Sequence, residues 1–127
     1  FRQMAALIGR AGLVVSGDTG PMHVAAAVGT PFLALFGPTP PARFAPLAGR
    51  GLSLLHPVPC GPCHQYRCPI RGEDHLRCLR LISVEEALAA ATRLLTGEAQ
   101  HDTDGRPASP VGAAAPQTAA VADQGKP

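Results

Sequence analysis

Several features are missing from this sequence, and each absence closes off a class of function. Over 127 residues the formal net charge is only +2. Arginine supplies almost all of the positive charge. So balanced a chain makes no electrostatic case for nucleic acid or for an anionic membrane surface. No apolar run approaches the length of a membrane span, no signal peptide is visible, and no internal repeat can be found. Neither the Gly-x-Gly-x-x-Gly of dinucleotide binders nor a P-loop occurs. Methionine is absent from the first position: Phe1 opens on what reads as the middle of a helix, so a piece of a longer protein is expected.

What is present is a chain with 46% hydrophobic residues. That is enough for one modest domain burying about two thirds of its extended-chain surface. Met4, Leu7 and Ile8 form an apolar stripe at helical spacing, with Gly12 as the stop. Leu13 to Ser16 is short and β-branched and reads as a buried strand. Pro21 suits a first helical residue, whose N–H would be unpaired anyway. Gly29 and Pro31 end that helix. A second strand, Phe32 to Phe36, follows. Two strands joined through a helix run parallel with a right-handed crossover, so both end at one sheet edge, where ligands bind in open α/β sheets. The expected fold is therefore α/β, a Rossmann-like parallel sheet with flanking helices.

Pro40 to Leu47 reads as a short helical turn or loop anchored by Phe44, and Leu52 to Leu55 as a third strand. Ser83-Val84-Glu85-Glu86 is a capping-box pattern, with Ser83 as N-cap. The helix beyond it, to about Leu95, places Val84, Ala87, Leu88, Ala91, Leu94 and Leu95 on one face. Two regions are expected: a folded domain over residues 1–96 and a disordered Ala/Pro/Gly-rich tail over 97–127, too poor in large apolar residues to offset the entropy of ordering it.

The chemistry gathers at Ser16-Gly17-Asp18-Thr19-Gly20-Pro21-Met22-His23, a turn feeding a helix. Free backbone N–H groups and the helix dipole favour an anion there, by roughly 0.3–1 kcal/mol when exposed. Glycines at 17 and 20 allow close approach, the Thr19 hydroxyl can donate to a phosphate, and His23 could direct its imidazole to the same spot. Asp18 would repel a phosphate, which leaves it to cap the helix or to accept from a sugar hydroxyl. Gly37-Pro38-Thr39-Pro40 ends the second strand beside this turn.

A second constellation lies in the long loop from Pro59 to about Arg80. Cys60, Cys63, Cys68 and Cys78 read C-x₂-C-x₄-C-x₉-C, with His64 and His75 nearby. Reduced non-ligating thiols, a structural Zn²⁺ on four thiolates, and a disulfide or redox role are all open readings. Arg67, Arg71, Arg77 and Arg80 interleave with them, either to meet an anionic ligand or as a solvated face balanced by Glu73 and Asp74. Arg43 is a weaker candidate for binding phosphate.

Asp18-Thr19-Gly20-Pro21-Met22-His23, with Ala25-Ala26-Ala27, Gly29-Thr30-Pro31 and Leu35-Phe36-Gly37-Pro38-Thr39, resembles glycosyltransferase family 9, the heptosyltransferases of lipopolysaccharide core assembly. The similarity spans about residues 1–95. It implies the C-terminal, donor-binding half of a two-domain GT-B enzyme. Asp18, Thr19, Gly20, Pro21, Met22, His23, Gly37 and Thr39 would then line the site for an ADP-heptose-type donor. It further implies inverting, metal-independent transfer to a lipid-linked glycan acceptor, with no cofactor required and the general base in the N-terminal domain. This chain alone would be inactive. The location implied is the cytoplasm, with peripheral association at the inner face of the membrane through the full-length protein. Two other readings compete: a GT-B nucleotide-sugar epimerase, disfavoured by the Gly-Asp-Thr-Gly-Pro turn, and a zinc-stabilised interaction module.

Overall fold

A computed structural model describes residues 1–98. Its centre is a three-stranded sheet made of β1 (Val14–Gly17), β2 (Phe32–Phe36) and β3 (Gly51–Leu55), in that order and parallel throughout. Val14 stands opposite Phe32, and Phe32 opposite Gly51, so all three strands point their C-terminal ends at one edge. The expected parallel α/β arrangement is present, with β1 displaced by one residue from the span anticipated above and β3 beginning one residue earlier.

Helices cover both faces, and the pleat of β2 shows why. Successive side chains of a strand point to opposite faces. Phe32, Ala34 and Phe36 pack with Ile8 of α1 (Arg2–Ile8) and with Met22, Val24 and Ala25 of α2 (Gly20–Val28). Leu33 instead packs with Leu54 and with Ala90 and Leu94 of α5 (Val84–Thr96). A central strand walled on both sides must be apolar throughout, as Phe-Leu-Ala-Leu-Phe is. The short helix α3 (Pro41–Phe44) brings Phe44 against the first core.

Two helix ends are tied to the sheet layer. The buried Thr30 hydroxyl donates to the Ile8 carbonyl at 2.8 Å, a second bond on an acceptor that also takes the Ala11 amide at 3.0 Å. Arg50 donates to the Leu94 carbonyl in α5, at 3.1 Å. Gly29 ends α2 in the left-handed region at φ 81°, which a side chain would strain.

Three local expectations need correction. Leu7 is not part of the α1 stripe: it is 73% exposed, and Met4, Ala5 and Ile8 make the contact instead. On α5 the buried face runs through Ala87, Ala90, Ala91 and Leu94, while Val84, Leu88 and Leu95 project outward. The wheel is turned because small alanines let the helix lie close to β2 and β3. Ser83 is the N-cap and accepts from the Glu86 amide at 3.1 Å, but the reciprocal half of the capping box is not made. The Glu86 carboxylate pairs with His56 at 2.7 Å, tying α5 to the end of β3. The expected disordered tail lies outside the described residues, except for Gly97 and Glu98.

Candidate functional site

The parallel register brings the ends of β1 and β2 side by side, and the two loops that follow them meet. The Thr39 hydroxyl donates to Asp18 Oδ2 at 2.7 Å, linking residues 21 apart in sequence. Around this bond opens a cavity of about 520 Å³. Gly17, Asp18, Gly37 and Thr39 line it from the sheet edge.

Asp18 does not cap α2, contrary to one of the two roles left open for it. Thr19 holds the N-cap position, and no side chain caps the helix. The Thr19 hydroxyl is turned back instead, within 2.8 Å of Ser16 Oγ. Pro21 has no N–H, and the Met22 amide bonds to the Thr19 carbonyl at 3.2 Å. The amides of Thr19 and Gly20 are thus left without an intrahelical acceptor at the residue following Asp18.

The eight residues singled out from sequence therefore separate. Asp18, Gly37 and Thr39 share the cavity. Thr19, Gly20 and Pro21 form the start of α2 directly after it, and His23 is exposed in the helix's first turn. Met22 is completely buried in the core beneath α2, so its side chain is directed into packing and away from the cavity.

The opposite wall of the cavity was not anticipated. His64, Gln65, Tyr66 and Leu79 come from the cysteine-bearing loop. The loop is pinned there by the His64 amide, which donates to the Pro38 carbonyl at 2.9 Å, and by the His64 ring tilted against Phe44 at 6.0 Å. Cys78 and Leu79 press on Gly37, where an added Cβ would stand 2.8 Å from Leu79 Cγ and 3.1 Å from Cys78 Sγ. The sequence signal for this return was the length of the loop alone.

All four cysteines are free thiols, and all four line one smaller cavity of about 190 Å³ behind this wall. Among the described residues, no three His, Cys, Asp or Glu side chains already stand at metal-binding spacing. Burial pushes the Cys78 thiol pKa above its ordinary value, and the neighbouring Cys60 and Cys63 add to that. Two of the loop's arginines are engaged locally: Arg77 pairs with Asp74 at 2.8 Å, and Arg80 donates to the Glu73 carbonyl. Arg67 and Arg71 line an open cavity of about 750 Å³ beside Tyr66. Arg43 sits 5.4 Å from the Phe44 ring centre. Among the described residues no helix is long and apolar enough to cross a membrane.

Comparison with known proteins gives a consistent picture. A family model described as glycosyltransferase family 9 (heptosyltransferase) matches residues 1–73. Lipooligosaccharide heptosyltransferase 2 of Campylobacter jejuni subsp. jejuni serotype O:2 is 32% identical over 84 residues, 65% of this chain and 25% of that protein. Lipopolysaccharide heptosyltransferase 1 of Pseudomonas aeruginosa is 37% identical over 85 residues, 67% of this chain and 24% of that protein. The crystal structure of the glycosyl transferase family 9 from Veillonella parvula superimposes with a TM-score of 0.55 at 28% identity, covering 74% of this chain and 26% of that one. The chain thus spans about a quarter of the length of the relatives it matches.

Proposed function

The chain belongs to glycosyltransferase family 9, and on that premise we propose that it is the donor-binding part of an enzyme transferring a heptose or related sugar. The donor is a nucleoside-diphosphate sugar of the ADP-heptose type, and the acceptor a lipopolysaccharide core or similar lipid-linked glycan. The observation that carries this reading is the Thr39–Asp18 hydrogen bond, which joins the two sheet-edge loops at the mouth of a cavity large enough for part of such a donor.

The residues divide the work by charge. The diphosphate lies at the N-terminus of α2, where the Thr19 and Gly20 amides and the helix dipole receive it. Asp18 is kept off the phosphates by its bond to Thr39, and its second oxygen accepts from a sugar hydroxyl. Gly37 lets Leu79 and Cys78 close against the strand end, which sets the far wall of the donor cavity. As the acceptor hydroxyl attacks the anomeric carbon with inversion, the C–O bond to the diphosphate breaks. The charge gathering on the leaving group is then stabilised by dipoles already in place, without a metal ion. The general base belongs to the N-terminal domain of the full-length protein. Arg67 and Arg71, with no acidic partner among the described residues, suit an anionic acceptor. The reaction is placed in the cytoplasm, at the inner face of the membrane that carries the acceptor.

Titration of ADP, UDP and GDP against the chain by calorimetry tests the reading. Saturable binding of one of them is expected, weakened at least threefold by Asp18→Asn when the matching nucleotide sugar replaces the nucleotide. No binding of any of the three would overturn it.

A further inference from the structure

The segment 59–81 has almost nothing of its own to hold it. Its regular structure is a single 3₁₀ turn at Gly72–Asp74 and the one-turn helix α4 (Arg77–Arg80). None of residues 55–89 is buried. Within 59–81 only four residues are even half-buried, namely Cys63, Cys68, Ile70 and Cys78. A loop of this length in a compact domain is ordinarily held by packing, a cross-link or a metal. Packing is thin, resting on the His64 ring against Phe44 and on Cys78 and Leu79 against Gly37, and the cysteines are all free thiols.

We propose that Cys60, Cys63, Cys68 and Cys78 form a tetrathiolate site for one thiophilic metal ion, with Zn²⁺ as the ion its chemistry suits. The inference stands on this loop's geometry and does not depend on the glycosyl-transfer reading. The four side chains converge on one 190 Å³ cavity although they are spread over nineteen positions of chain. The nearby histidines are turned elsewhere: His64 packs on Phe44, and His75 Nδ1 lies 2.8 Å from the Ile70 carbonyl. Asp74, which also lines the cavity, is paired with Arg77 at 2.8 Å, and what remains is an all-sulfur donor set, the combination that favours tetrahedral Zn²⁺. The Leu76 amide already points at Cys68 Sγ, 3.4 Å away, the kind of N–H to sulfur contact that stabilises a thiolate.

Charge supports the same assignment. Four thiols losing their protons to one divalent ion leave a site carrying two negative charges. Over 59–81 the four arginines outnumber Glu73 and Asp74 by two. The sulfurs share a cavity without yet meeting at coordination distance. Bringing each to about 2.3 Å from a common centre closes that cavity, so metal binding and ordering of the loop are one event. Because His64, Gln65 and Tyr66 lie between Cys63 and Cys68, the ion would fix the wall they present to the larger cavity.

The test is to purify the chain under reducing conditions without chelator, measure zinc by plasma emission, and titrate the metal-free chain with Co²⁺. About one zinc per chain is expected, together with the intense thiolate-to-cobalt bands of a tetrahedral four-sulfur site. Cys60→Ser with Cys78→Ser should reduce zinc at least tenfold. Should that double variant fail to fold, the cobalt spectrum of the unaltered chain still decides. Absence of those bands, or cysteines found paired as disulfides under reducing purification, would overturn the site.

Discussion

At the scale of single residues, the Asp18–Thr39 bond matters most, because it turns two separate loops into one rim. A half-buried hydrogen bond to a carboxylate is stronger than a neutral one, and removing the donor leaves the acceptor unmatched. Thr39→Val is therefore expected to lower the unfolding free energy by roughly 1–2 kcal/mol. A urea titration measures this, and an unchanged midpoint would show that the bond does not hold the rim together. Asp18 was legible as a candidate from its place in a turn before a helix, and it does line the sheet-edge cavity. Its partner was not legible, since nothing local to Thr39 signals a contact across 21 residues. Met22 shows the opposite limit. It stands among the motif residues in sequence, yet helical rotation directs it into the core.

At the scale of elements, α5 was readable in its start and its stop but not in its rotation. Ser83, Glu86 and Gly97 carry local signals, whereas the buried face depends on how closely alanines allow the helix to approach the sheet. Glu86 was diverted from the capping box because His56, at the end of β3, offers a partner that only the tertiary fold brings near. The first turn nonetheless responds to pH. Hydrogen bonds from its own amide and from Ser83 hold the Glu85 carboxyl below its ordinary value of 4.5. A carboxyl depressed on folding contributes stability above the unfolded value, and that contribution fades as pH falls through the lower folded one. The melting temperature should decline on acidification below about pH 4.5, and Glu85→Gln should decline less steeply. The side chain is fully exposed, so the difference should shrink in high salt.

At the scale of the whole molecule, the three strands, their parallel order and both helical layers were legible because apolar spacing and the Gly and Pro boundaries agree. The return of residues 64–66 over the sheet edge was not, since a loop without periodicity carries no direction. The chain spans about a quarter of its matched relatives, and the proposed base lies in another domain. The 127 residues alone should thus give no glycosyl transfer in a radiolabelled-donor assay, and measurable turnover would sink that expectation. The contact at Gly37 sets a rule for anyone building chimeras from such domains. Leu79 and Cys78 occupy the space where any side chain at position 37 would begin. A graft of the cysteine segment onto a different sheet must therefore carry its glycine with it, because host and insert interlock through a single missing methyl group.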